Sequence, residues 1–218
     1  MAQTLIPRRA LFRFAAPCRR VKRLWTARGG AKLDESHRLP LLAELEGRTP
    51  IAEVRCGWNT SGLAFWAWVQ GKQQPPWCRE EQPEISDGLH VWLDTRDVHN
   101  VHRATRFCHR FALMPGGRGK KHEQPMAAWL PINRAKQDPR QVDDEVLKVM
   151  ARRHGDGYEL SAMIPAEALT GFDPSEHTRL GFQYAILDRE LGEQTFAAGR
   201  PLPYAEDPSL WATLDLVE

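Results

Sequence analysis

Short segments in which apolar and polar residues alternate recur along the chain, separated by residues that favour turns. They are residues 51–58, 63–69, 88–94, 103–113, 157–164, 179–187 and 210–217. Because side chains of a β-strand point alternately to its two sides, a period of two predicts strands. The turn residues Asn59, Thr60, Ser61 and Gly62 lie between the first two segments and predict a hairpin there.

Helical patterns are scarce by comparison. Residues 140–153 place Val142, Val146 and Val149 at helical spacing. The same segment could instead form a strand that pairs with residues 157–164, so both alternatives stay open.

Two further segments complete the local predictions. Pro165 at the start of residues 165–169 predicts a single helical turn. The Gly- and Lys-rich residues 114–123 predict a loop. Many short strands and little helix predict an all-β fold, a two-layer antiparallel β-sandwich of the jelly-roll type with less than about a fifth of helix. We predict a single domain over residues 1–218.

The alternation also assigns a core face to each strand. We expect burial of Leu63, Phe65, Val69, Leu89, Val91, Leu93, Phe107, Phe111, Ile164, Phe182 and Ile186. Trp66 and Trp68 then face outward, which is costly for rings of this size unless a ligand or a loop covers them.

Charge is distributed unevenly along the chain. Residues 1–32 hold nine basic and no acidic residues, whereas the rest holds 21 basic and 28 acidic ones. A basic start is compatible with a surface for nucleic acid or acidic lipid, with a transit-type sequence, or with a basic strand and loop over residues 1–33. We favour the strand and loop, with Leu11, Phe12 and Phe14 at the strand's start, and expect no nucleic-acid partner.

No apolar run is long enough to span a membrane, and no signal peptide is evident. Cys18, Cys56, Cys78 and Cys108 form no C-x-x-C pair. We therefore expect free thiols and a cytoplasmic location. The oligomeric state is left open.

A series of short motifs carries a resemblance to a known family. Pro76-Trp77 lies in a loop, Ser86-Asp87 leads into the strand at 88–94, and Asp207-Pro208-Ser209 precedes the last strand. Between them come Gly157-Tyr158-Glu159-Leu160, Ile164-Pro165-Ala166 and Leu180-Gly181-Phe182. In this order, over residues 34–218, the motifs resemble the family 9 carbohydrate-binding modules of the DOMON-like superfamily.

The resemblance implies a ligand site on one sheet, where two aromatic residues clamp a terminal sugar. Trp77 matches the first of them by position. Tyr204 is the nearest aromatic residue to the second, which is a tryptophan in the family, and His90 replaces a sugar-binding glutamate.

Strand alternation indicates the same sheet face independently. His90 and Trp92 share one side of their strand, and Arg106 and Arg110 lie opposite Phe107 and Phe111 on the next one. If these strands are neighbours, Trp77 and Tyr204 wall a shallow cleft floored by the other four side chains. Two arginines in the floor favour an acidic sugar, because guanidinium pairs bidentately with oxyanions. Carbohydrate is the predicted partner, and catalysis is not expected.

The alternative function is a metal- or haem-binding DOMON-like sensor, or a small enzyme, that uses residues 99–110. His99, His102, Cys108 and His109 are ligand types for transition metals, and a His–Met pair would suit haem. Asp87, Asp94 and Asp97 are weaker candidates for a calcium site, because acidic loops can supply carboxylate and backbone oxygens. Cys108 and His109 point to opposite sides of a strand, which disfavours one shared ion.

Overall fold

The computed structural model describes residues 12–42, 47–200 and 202–218. Its strands are β1 Ala15–Arg20, β2 Ala52–Asn59, β3 Gly62–Gln70, β4 Gly88–Asp94, β5 Cys108–Arg118, β6 Gln124–Leu130, β7 Lys148–His154, β8 Gly157–Pro165, β9 Arg179–Asp188, β10 Gly192–Thr195 and β11 Ala212–Val217. Short 3₁₀ helices lie at Glu35–His37, Pro83–Ile85, Asp144–Val146, Ala166–Ala168 and Pro208–Leu210. Helix makes up 8% of the structure, so the prediction of an all-β fold with little helix is confirmed.

The strands pair into one continuous sheet in the order β6-β5-β4-β9-β11-β1-β2-β3-β8-β7, with β10 along β9. The pairings are antiparallel except at β1, which runs parallel to both β11 and β2. The sheet is nearly closed and barrel-like. β1 therefore joins its two halves, and the strand order does not by itself divide the sheet into two layers.

The interior of the curled sheet holds the main core. Ten of the predicted core residues are buried there, and Phe107 is the exception. The amide of Cys108 donates to the carbonyl of Thr105 at 2.8 Å, closing a turn, and β5 begins only at Cys108. Phe107 is consequently half-buried in that turn, so its predicted place in the core is wrong.

In several segments the observed secondary structure differs from the prediction or settles an open alternative. The loop predicted at 114–123 is wrong in its first half, because β5 continues to Arg118 through a bulge between Met114 and Gly117. Of the two alternatives for residues 140–153, the strand is correct, since β7 pairs with β8. The strands β6 and β10 were not predicted.

The basic N-terminal segment forms a strand, as predicted, although that strand begins at Ala15. Phe14, just before it, packs edge-on against Phe196 with ring centroids 5.0 Å apart. Leu11, with Arg8 and Arg9, lies outside the described residues. All four cysteines are free and buried. Within the described ranges, no helix is long and apolar enough to cross a membrane.

Candidate functional site

The predicted site face lies on the outside of β4, β5 and β9. β4 pairs with β5 and β9, which confirms that the two strands named in the prediction are neighbours. Trp92 is flanked by Arg110 on β5 and Gln183 on β9, while Leu93 points into the core. Strand alternation therefore places His90, Trp92 and Arg110 on one surface.

Three of the predicted site residues, Trp92, Tyr204 and Arg110, form a cluster around Trp92 on this face. The rings of Trp92 and Tyr204 meet edge-to-face with centroids 5.4 Å apart. The Arg110 guanidinium lies 5.1 Å from the centre of the Trp92 ring. Trp92 is 1% exposed and Tyr204 7%, so both rings are buried, whereas Arg110 is half-buried and is the most exposed member of the cluster.

A strap formed by residues 196–200 and 202–206 covers Trp92, and Tyr204 belongs to this strap. Trp92 Nε1 donates to the carbonyl of Ala205 at 3.2 Å, and Trp211 Nε1 donates to that of Tyr204 at 2.8 Å. Gln183 holds the strap's other end, since its amide group donates to the carbonyl of Ala198 at 2.6 Å. These bonds satisfy polar groups that would be costly to bury alone.

Arg110 differs from a typical surface arginine because its charge is poorly compensated. Its Nε is buried without a hydrogen-bond partner among the described residues. Burial lowers the pKa of Arg110, and the neighbouring Tyr204 and Glu84 only partly oppose that effect. A half-buried guanidinium without a carboxylate partner favours an anionic ligand.

His90 lies on the same face but is fully buried. Its Nε2 lies 3.0 Å from the carbonyl of Ser86, which can only accept, so Nε2 carries the proton. Cys78, Ala112 and Met114 form a buried cluster on this side of the sheet. The loop before Asp87 therefore covers His90, and a ligand on this surface would contact the loop above it.

Acid is expected to destabilise the fold through two buried histidines. Burial lowers the pKa of both His90 and His109 to about 4, against 6.5 for an exposed histidine. Between these values the unfolded chain binds protons that the folded chain does not. The free energy of unfolding should therefore fall as the pH drops from 6.5 towards 4, by up to about 1.4 kcal/mol per pH unit for each histidine.

Urea unfolding at a series of pH values measures this slope. His90→Asn and His109→Asn should each give a shallower slope than the wild type over that range. Slopes identical to the wild type in both variants would contradict the assignment.

Trp77 lies at the other end of the face, beside the start of β4. The Asp87 carboxylate accepts the backbone N–H of Trp77 at 2.9 Å and that of Arg189 at 2.8 Å. The guanidinium groups of Arg189 and Arg79 lie 3.8 and 5.2 Å from the centre of the Trp77 ring. Asp87 thus places an aromatic ring and an exposed arginine side by side.

The two ends of the face are far apart. Asp87 and Trp92 are five positions apart on an extended chain, which corresponds to about 17 Å. No described contact joins Trp77 to Tyr204. The face can therefore accommodate several linked sugar rings more readily than a single ring held between these two residues.

The remaining predicted floor residue lies elsewhere. Arg106 belongs to the turn before β5, is exposed, and lies 5.0 Å from the centre of the Phe107 ring. Because the strand begins at Cys108, the alternation that would place Arg106 beside Arg110 does not extend that far.

The metal candidates are dispersed and occupied by other contacts. Asp94 accepts the N–H groups of Arg96 and Val98 in a turn. His99 contacts Asp97, and His102 contacts Asp207.

Asp87 pairs with Lys72, and His109 stacks on Phe111 within the strand. Across the described ranges, no group of three or more His, Cys, Asp or Glu side chains is placed to hold a metal ion.

Sequence reasoning missed Arg189, Arg79 and Glu84. Arg189 follows β9 immediately, and its approach to Trp77 depends on the β4–β9 pairing. Arg79 follows Trp77 by two residues in the Pro-Trp loop, and this proximity is a local signal that could have identified one of the three.

The sequence matches no known protein-family model and no curated protein at a significant level. The fold is similar to family 9 carbohydrate-binding modules of Caldicellulosiruptor kristjanssonii. The structure in complex with glucose gives a TM-score of 0.61 at 12% identity, over 93% of this chain and 95% of that one. The structure in complex with cellotriose gives 0.59 at 12% identity, over 93% of each chain.

A candidate carbohydrate-binding protein of Bacteroides uniformis is also similar, with a TM-score of 0.52 at 11% identity over 83% of this chain and 85% of that one. At these identities the likeness concerns the fold. The likeness to family 9 modules that the motif order predicted is therefore confirmed at the level of the fold.

Proposed function

We propose that this chain is a non-catalytic carbohydrate-binding module that recognises an acidic saccharide on the outer face of β4, β5 and β9. The observation that carries the proposal is the half-buried guanidinium of Arg110 beside Trp92, which forms no salt bridge with any described residue. The similar folds solved with glucose and cellotriose support the ligand class. We also propose that the curled sheet corresponds to the two packed layers of a DOMON-like sandwich.

Each end of the face supplies a different part of the recognition. The Arg189 guanidinium stacks over the Trp77 ring and offers hydrogen-bond donors, and the ring surface that it leaves uncovered can contact the C–H groups of a sugar. Arg110 provides the group that distinguishes a carboxylate or sulfate from a hydroxyl. The ligand extends from the first end to the second, and its terminal unit lies at Trp77.

Substitution of Arg110 by Gln is expected to remove the preference for acidic sugars. A charge-assisted hydrogen bond contributes about 1.5–3 kcal/mol, so affinity for an oligogalacturonide should fall roughly ten- to hundredfold. Cellotriose binding should change little, because a neutral sugar gains nothing from the charge. Trp77→Ala should weaken binding of the oligogalacturonide as well, because the ring contacts its terminal unit. Isothermal titration with the two sugars measures these effects.

Arg20→Gln is the matched control, since Arg20 lies on β1, outside the proposed face, and is paired with Glu218 at 2.9 Å. It should bind like the wild type. An unchanged affinity of Arg110→Gln for the oligogalacturonide, in a variant with wild-type thermal stability, would rule out the acidic specificity. Unchanged affinities of Trp77→Ala would rule out this face.

A further inference from the structure

The opposite half of the sheet carries a second aromatic surface that the proposed function does not use. Leu63, Phe65 and Val69 of β3 point into the core, whereas Trp66 and Trp68 point outward and remain half-exposed. Side chains two positions apart on a strand are about 6.6 Å apart on the same face. The two indole rings therefore form a short row on the outside of β3.

Polar side chains of the neighbouring strands surround this row. Trp66 Nε1 donates to Glu159 Oε1 of β8 at 3.1 Å, and the Arg55 guanidinium of β2 lies 4.5 Å from the centre of the Trp66 ring. The Trp68 ring has its centre 4.5 Å from that of His154 on β7. We call these five side chains the Trp66 face.

The N-terminal segment adds a wall to the Trp66 face. Its chain turns back between Thr26 and Gly30, which are paired as an isolated bridge. Gly30 has φ +61° and lies so close to β8 that a Cβ there would be 2.6 Å from the Cβ of Ser161. Only glycine permits this approach, so the wall has a defined position.

A cleft of about 270 Å³ results between the wall and the sheet. It is lined on one side by Gly29 and Ala31, and on the other by Trp66, Met150, Glu159 and Ser161. This volume lies just below the roughly 300–1,000 Å³ of typical small-molecule sites. It suits one sugar-sized unit, with Trp68 placed to contact a neighbouring one.

The cations at this surface have carboxylate partners, unlike Arg110. Arg55 and Arg38 lie 2.6 and 3.4 Å from Glu53, and Glu159 lies 3.5 Å from Arg152 and 3.6 Å from His154. These paired ions present donors and acceptors and leave no unpaired cation among them that would select an anion. Half-exposed indole rings bordered by such groups match the C–H faces and hydroxyls of a neutral sugar.

We propose that the Trp66 face is a second saccharide-binding site, and that its ligand is a neutral oligosaccharide. One sugar ring lies in the cleft against Trp66, with its hydroxyls bonded to Glu159, Ser161 and Arg152, and the next ring contacts Trp68. The two sites lie on different strands of the sheet and carry different charge, so the protein binds acidic and neutral sugars independently. This inference does not depend on the proposed function of the first face.

The test uses the full chain with Trp77→Ala, which removes the first site. This variant is screened against immobilised neutral oligosaccharides, including cellotriose, and the best ligand is titrated in solution. Adding Trp66→Ala should lower the affinity for that ligand about three- to tenfold, which is the factor that corresponds to one lost aromatic contact. Arg152→Ala, at a side chain that is 70% exposed, should weaken it without affecting folding.

Arg179→Ala in the same background is the control and should leave the affinity unchanged. The proposal is overturned if the Trp77→Ala variant binds no neutral glycan on the array. It is also overturned if Arg152→Ala and Trp66→Ala, both folded by circular dichroism, bind with unchanged affinity. Binding of the acidic ligand by the Trp77→Ala variant tests the first face alone. Binding of neutral ligands by the same variant tests the Trp66 face alone, so failure of either proposal can be recognised separately.

Discussion

Lys72→Met is expected to lower the free energy of unfolding by about 3–5 kcal/mol, the range for a buried ion pair that loses one partner. Lys72 Nζ lies 2.7 and 2.6 Å from the two carboxylate oxygens of Asp188, and 3.5 Å from Asp87 Oδ2. The side chains of Lys72 and Asp87 are each 2% exposed, and that of Asp188 is 0% exposed. Without the ammonium group, two carboxylates would remain buried side by side.

The pH dependence of this stability loss shows whether the unpaired carboxylates cause it. Burial raises the pKa of Asp87, and the charge of Asp188 adds to this, while the N–H groups of Trp77 and Arg189 and the Lys72 ammonium lower it. Removing the cation raises this pKa further, so the folded variant binds a proton at a higher pH than the unfolded one. The deficit relative to the wild type should therefore shrink as the pH falls from 7 towards 4.5.

Urea unfolding of both proteins at several pH values measures this difference. Lys148→Met, at an exposed position of β7, is the matched control and should cost less than about 0.5 kcal/mol. A deficit below about 1 kcal/mol at pH 7, well under the range for a broken buried pair, would show that the charge cluster is not important for stability.

Phe182→Ala should have the second large effect and lower the free energy of unfolding by about 3–5 kcal/mol. Phe182 is fully buried on β9 and connects the two halves of the core. Its ring centre lies 6.1 Å from that of Phe65 and 5.1 Å from that of Phe196. Truncation leaves a cavity between rigid aromatic neighbours that cannot close fully.

Phe107→Ala provides a control with the same chemical change at a half-buried turn residue. Its ring contacts Arg96 and Arg106, and its loss should cost less than about half as much as that of Phe182. Chemical denaturation of both variants gives the comparison. Equal costs would mean that Phe107 belongs to the core, as strand alternation alone predicted.

The strand pattern could be predicted from the sequence wherever alternation is strong and uninterrupted. In β4, β8 and β9 apolar residues recur at every second position, and this local period sets which side faces the core. Alternation failed at Phe107, because a hydrogen-bonded turn delays the start of β5. The Gly- and Lys-rich composition of residues 114–123 also predicted a loop where β5 in fact continues to Arg118.

The candidate site could be predicted only in part. The neighbouring positions of His90, Trp92 and Arg110 follow from two strand patterns and one pairing. The strap that buries Trp92 comes from residues more than 100 positions away, and its contact through Ala205 has no local signal. The approach of Arg189 to Trp77 likewise requires that β4 and β9 be neighbours.

The sequence by itself determined the all-β class, the core face of the regular strands and the outward position of Trp66 and Trp68. These features follow from local periodicity and from the burial of apolar side chains. Only the tertiary structure decided which outward residues are covered and which charges are paired. It buries His90 under a loop, leaves the Arg110 Nε without a hydrogen bond from the described residues and pairs Arg55 with Glu53. Exposure and electrostatic pairing of this kind depend on segments that are distant in the chain.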